Sequence, residues 1–236
     1  EISACLVGSE MCIRDSPVTV LLIDTVSVAQ ALNFLDQDLD ATELGGLVTW
    51  APPGDVTHVT SYVVYLATSS SGAGKWPVQS DVEVGTNELA MLSDTALGSK
   101  THLVVYTKSS LAEQTTPAAL TLTDQISSVT IVAFVDKDLD AGDLGGTVVW
   151  SEPGEVSQVT QYVVGLCPFS CAARSQFPGD VAVGTNEAAI GAGTPRGSFA
   201  HVVVYTKSSL AEQTTPTALF LMDASSSVSS VGFVDK

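Results

Sequence analysis

DLDATELGGLVTW, residues 38–50, returns as DLDAGDLGGTVVW at residues 138–150, and this recurrence decides how the whole chain is read. An Asp-rich turn leads into a Gly pair and then a β-branched run closing on Trp50 or Trp150, the pattern of a loop entering a strand. Downstream, VVYTKSSLAEQTTP at residues 104–117 returns unchanged at 203–216. Upstream, PVTVLLIDTVSVAQALNF at 17–34 aligns with 117–134, placing Asp24 on Asp124, and FVDK at 233–236 repeats 134–137. The period of 99 to 100 residues is one small domain. The expected organisation is the last strand of a preceding repeat at 17–24, whole repeats at 25–124 and 125–223, and the opening of a further one at 224–236. A longer array is implied.

Within a repeat, short Val-, Thr-, Tyr- and Leu-rich runs alternate with Gly, Pro, Asp and Ser clusters, and no window carries a helical stripe. In the first repeat the predicted strands are 29–35, 46–51, 60–68, 82–84, 88–92, 102–108 and 118–123. Side chains alternate across a strand, and Tyr62, Val64 and Leu66 recur as Tyr162, Val164 and Leu166 while Tyr65 becomes Gly165. The recurring set is assigned to the core and Tyr65 to the outer face. Between the last strand of one repeat and the first of the next stands a short junction without Gly, which predicts neighbours held nearly end to end.

The tryptophan followed by Pro in VTWAPP and VVWSEP, the YVVYL-type strand and the VVYTKSS strand leading through a turn to Pro resemble fibronectin type III domains. The resemblance covers nearly all of residues 17–236. It implies an all-β chain: tandem immunoglobulin-like/fibronectin III-like β-sandwich domains arranged end to end. One family feature is absent, because the tyrosine expected near the start of the 102–108 strand is replaced by Thr101 or His102, and by Ala200 or His201 in the second repeat. The repeat is also similar to repeats in very large proteins of unicellular algae.

Composition narrows the function. Of 236 residues, 26 are acidic and 9 basic, a formal charge of −17, which disfavours nucleic acid or an anionic membrane surface as partner. No uninterrupted apolar run has the length of a membrane helix. Residues 6–16, LVGSEMCIRDS, resemble the in-frame translation of a transposase sequencing adapter, so 1–16 are read as a non-native leader; Cys5 and Cys12 then leave the disulfide count.

Asp36, Asp38, Asp40 and Glu43, repeated as Asp136, Asp138, Asp140 and Asp143, are the strongest candidate for chemistry. Alternate carboxylates supply the hard oxygens that Ca2+ prefers, although an EF-hand needs Gly and Glu where Ala41 and Leu47 stand. The competing expectation is a solvated acidic loop that discourages edge pairing. Cys167 and Cys171 are read as a loop disulfide: the spacing is not C-x-x-C, and no second pair or neighbouring His suggests zinc. His58, His102 and His201 are the only histidines, and no nucleophile elbow accompanies them, so no enzyme is expected. SSGAGK at 70–75 lacks the spacing of a phosphate loop. Trp76-Pro77 and Phe177-Pro178 take similar places after the third strand, where an exposed aromatic could stack on a sugar.

The expected function is a non-catalytic structural or adhesive spacer in a larger secreted or cell-surface protein. The alternative is a calcium- or carbohydrate-binding accessory module of such a protein or of an extracellular enzyme. Expected partners are the neighbouring repeats and protein or glycan ligands; no cofactor beyond Ca2+ is implied.

Overall fold

The computed structural model describes residues 21, 24, 26–169, 171 and 173–235, so the leader at 1–16 and most of the segment at 17–24 lie outside the described residues. Every element among the described residues is a strand. The first repeat contains β1 (Gln30–Phe34), β2 (Glu43–Ala51), β3 (Ser61–Ala67), β4 (Trp76–Pro77), β5 (Val82–Glu83), β6 (Glu88–Ala96), β7 (His102–Lys108) and β8 (Ala118–Thr121). The second contains β9 (Thr130–Phe134), β10 (Asp143–Ser151), β11 (Gln161–Cys167), β12 (Ser175–Ala182), β13 (Glu187–Pro195), β14 (His201–Lys207) and β15 (Thr217–Phe220). Sheets β1-β2-β6 and β4-β3-β7-β8, with β5 also on β3, form the first sandwich; β9-β10-β13 and β12-β11-β14-β15 form the second. All pairings are antiparallel.

The recurring side chains fill the space between the sheets. Tyr62, Val64 and Leu66 are buried at 0, 1 and 2% exposure, and Trp50 meets Tyr62 edge-on with ring centroids 5.3 Å apart. Trp150 and Tyr162 repeat the contact at 5.4 Å. An edge-to-face pair of this kind adds about 0.5–1.5 kcal/mol beyond the area it buries.

Strict alternation fails on the outer face of β3 and β7. Val63 is buried there as well, and Ala67, Val104 and Tyr106 form a small second cluster against which Tyr65 packs. The loop after β3 folds back over it: the Tyr106 hydroxyl donates to the Ser71 carbonyl, and Lys75 lies 4.5 Å from the Tyr65 ring and 4.1 Å from that of Tyr106. In the second repeat Gly165 removes the tyrosine. Arg174 stacks on Tyr205 at 4.3 Å and pairs with Glu212, while a disulfide joins Cys167 and Cys171 with Cα atoms 4.8 Å apart.

Strands β2 and β6 run longer than the sequence predicts, to Glu43 at one end and Ala96 at the other. The extension passes through a bulge. Leu44 faces Thr95 but Gly46 faces Met91, so the register shifts between them, and β10 and β13 repeat the shift. Gly46 takes φ +139°, and a Cβ there would sit 2.7 Å from the Leu35 carbonyl oxygen. Gly146, at φ +152°, would meet the Val135 carbonyl oxygen at 2.6 Å. The second Gly of the LGG motif is thus fixed by backbone geometry and by space.

Candidate functional site

The Asp-rich segment between β1 and β2 is not a solvated loop. Asp36, Asp38 and Asp40 are 2, 3 and 4% exposed. The spacing of two residues makes consecutive Asx turns: Asp36 Oδ1 accepts the Asp38 N–H, and Asp38 Oδ1 accepts the Asp40 N–H, both at 3.1 Å. Asp36 Oδ1 also takes the Gly45 N–H at 2.9 Å, which ties the loop to the start of β2.

The remaining oxygens reach outward. Asp36 Oδ2 accepts the Gln125 N–H at 3.0 Å, holding the segment that leaves β8, and Asp38 Oδ2 accepts the Asp94 N–H at 2.7 Å. Asp124 Oδ2 returns from the same segment to the Thr42 N–H at 2.8 Å. Asp40 grips the next repeat. Its carboxylate accepts the Thr214 N–H at 2.6 Å and hydroxyl at 3.1 Å, and the Thr215 N–H at 3.0 Å. Beside it Leu39 joins the hydrophobic core cluster of the second repeat, and its carbonyl accepts from Gln213 Nε2 at 3.3 Å and from the Ser127 N–H at 3.2 Å. Leu210 comes so close to Gly45 that a Cβ there would stand 2.6 Å from Leu210 Cδ2. The turn between β14 and β15 thus closes on the β1–β2 loop of the preceding repeat.

Burial and charge set the protonation of this loop. Desolvation lifts the Asp36 carboxyl to about 6 against the N–H bonds of Gln125, Gly45 and Asp38, with the Asp38 charge adding to the rise. Glu43 is also raised, by burial and then by Asp38, Asp40, Asp94 and Asp124. At Asp136 burial still opposes ionisation, but N–H bonds from Ala224, Gly145, Asp138 and Lys137 outweigh it and hold the carboxyl below its ordinary value.

Oxygens of Asp38, Asp40 and Glu43 lie within 4.8 Å of one another and could hold a cation, and Glu43 Oε2 and Asp124 Oδ1 are buried without a hydrogen-bond partner among the described residues. Asp36 takes no part in that group. In the second repeat Asp136 is 8% exposed, Asp138 half-buried and Asp140 exposed, and Asp143 starts β10.

Cys167 and Cys171 have a histidine near them after all. His201 is the cross-strand partner of Cys167, and its ring comes within 4.8 Å of both sulfurs. The 33 residues between Cys167 and His201 hide this in the sequence. Trp76 and Phe177 do not take equivalent places: Trp76 pairs with Leu66 whereas Ser175 pairs with Leu166, so Phe177 corresponds to Val78. Both Val78 and Phe177 pack on their cores, while Trp76 is 68% exposed. His58 lines a cleft of ≈ 210 Å³ with Ser27, Thr107 and Gln114, and His102 bonds its neighbour Thr101 at 2.8 Å.

Sequence reasoning missed Thr214, Thr215, Leu210 and Gln213, which receive the acidic loop. Their signal was the unchanged 14-residue copy at 104–117 and 203–216, more identity than a strand and a turn need for themselves. Each repeat sets a three-stranded sheet bearing the tryptophan on its central strand against a sheet of β3, β7 and β8 or their counterparts, edged by the segment that follows β3 or β11. Both repeats have the two-sheet antiparallel layout that the fibronectin type III resemblance implies. The chain is similar to a two-domain fibronectin type III segment of chicken tenascin, at 15% identity over 82% of this chain and 98% of that one, TM-score 0.35. It is also similar to the FN1–FN3 domains of chicken CNTN1, at 15% identity over 82% of this chain and 66% of that one, TM-score 0.35. No family model and no curated protein matches the sequence. The seam between these two sandwiches is where the acidic residues converge.

Proposed function

We propose that this chain is a stretch of a non-catalytic spacer or adhesive stalk, built from repeats docked on one another, within a larger secreted or cell-surface protein. The observation that carries the proposal is Asp40, whose carboxylate spends three hydrogen bonds on the backbone and hydroxyl of the next repeat rather than on its own. A charged acceptor bonded this way contributes about 1.5–3 kcal/mol per bond, and burying a leucine beside it about 1.5–3 kcal/mol more. Together these oppose free swivelling at the seam. The Cys167–Cys171 disulfide suits an oxidising compartment. No described helix is long and apolar enough to cross a membrane. Small-angle scattering tests the spacer reading: an extended envelope is expected for the chain, and an ensemble of freely pivoting repeats contradicts it.

A second reading, calcium at the seam, is favoured by the gathering of Asp38, Asp40 and Glu43 and by the unpartnered oxygens of Glu43 and Asp124. Ca2+ takes six to eight oxygens, and those of Asp38 and Asp40 already accept N–H groups, so Glu43, Asp124 and water would complete the set. Isothermal titration with CaCl2 tests it. Binding lost in Glu43→Gln supports a site, and no heat at millimolar calcium removes it.

A further inference from the structure

The second repeat reproduces almost the whole seam at its far end. Asp136 Oδ2 accepts the Ala224 N–H at 3.0 Å as Asp36 accepts that of Gln125, and Asp223 Oδ2 accepts the Gly142 N–H at 3.0 Å as Asp124 accepts that of Thr42. The Leu139 carbonyl accepts the Ser226 N–H at 3.0 Å as that of Leu39 accepts Ser127. What differs is the outer half. Leu39 is 2% exposed and Leu139 58%, and Asp40 is buried where Asp140 is exposed.

The other half of the seam is displayed at the opposite end. Leu111, Gln114, Thr115 and Thr116 match Leu210, Gln213, Thr214 and Thr215 in the unchanged 14-residue segment. Leu111 is 92% exposed against 39% for Leu210, and Gln114 is half-buried where Gln213 is 4% exposed. The cleft of ≈ 210 Å³ beside Ser27, Thr107 and Gln114 occupies the position that, in the second repeat, abuts Leu39. Gly145 keeps the small residue against which Leu210 packs at Gly45. Two faces that fit each other inside one chain, each repeated uncovered among the described residues, are the geometry of head-to-tail propagation.

We propose that the Leu139–Asp140 turn is a docking face whose occupant is another copy of this repeat, bound through the backbone of its LAEQTT turn. Asp140 accepts the two Thr N–H groups, Leu139 enters the cleft beside the turn's Gln, and the turn's Leu covers Gly145. Partner choice resides in shape and backbone donors rather than in opposite charge, which suits a chain of net charge −17.

The inference rests on the array reading, and one experiment separates the two. Residues 138–223 are appended after Lys236, so that FVDK at 233–236 opens a third repeat as 134–137 open the second. Hydroxyl-radical labelling of Leu139 then falls several-fold, toward that of Leu39, and Asp140→Ala with Leu139→Asp frees the third repeat to align independently in residual dipolar couplings. Both positions are exposed in the parent chain, so the second repeat keeps its melting temperature. Leu139 labelled equally with and without the third repeat overturns the inference while coupled first and second repeats leave the array reading standing. Uncoupled first and second repeats overturn both. Protection of Leu139 that grows with concentration in the unextended chain supports the same face with a second molecule as its occupant. Protection that requires calcium and no third repeat overturns it.

Discussion

Asp36, Asp38 and Asp40 share a residue type and a spacing of two, yet each does a different job. Asp36 anchors the segment leaving β8, Asp38 the αL amide of Asp94, and Asp40 the next repeat. Removing the Asp40 carboxylate leaves two amides and a hydroxyl at the seam short of an acceptor, so Asp40→Ala weakens docking by about 2–4 kcal/mol while each sandwich melts as before. Hydrogen exchange at Thr214 and Thr215 reads the loss. The Asp36 carboxyl, lifted to about 6 from 3.8, stays protonated in the folded chain where the unfolded chain has released its proton. Its contribution to stability is therefore full below about pH 4 and lost as pH rises through about 6. Carboxyl carbon shifts check it: Asp36 titrates near 6, Asp136 below the ordinary range. Gly46→Ala forces a Cβ into the Leu35 carbonyl at φ +139° and lowers the melting temperature of the first repeat, by about 2 kcal/mol or more in stability.

At the scale of elements, the third and seventh strands were legible because their apolar residues recur at a fixed period, the third repeating its core face as Tyr-x-Val-x-Leu. The extensions of β2 and β6 were not: Ser93, Asp94 and Thr95 carry no strand signature, and only the Gly46 bulge pairs them. The acidic loop was found as a cluster but not in its role, because sequence spacing places Asp40 on one side of a loop and says nothing of Thr214, 174 residues away. The two repeats also seal their outer faces differently. Tyr65, Lys75 and Glu113 in one are replaced by Gly165, Arg174, Glu212 and the disulfide in the other. A loop this short gains about 2 kcal/mol from its crosslink, and Ala67 is fully buried where Cys167 stands. Replacing Cys167 by Ala and Cys171 by Ser should cost the second repeat about that much in chemical denaturation and leave the first unchanged.

For the whole molecule, the repeat period and the short Gly-free junction lead to the expectation of repeats that do not swing freely, but the reason lies in contacts that cross 170 or more residues. Leu39, Asp40 and Gly45 on one repeat and the Leu210–Thr215 turn on the next make a seam of backbone donors and one buried leucine. This seam fixes one repeat against the other. Residual dipolar couplings of the chain in a weakly aligning medium test it directly. Amides of residues 30–121 and 130–220 are expected to fit a single alignment tensor; two tensors of different magnitude and orientation would mean that the repeats move independently.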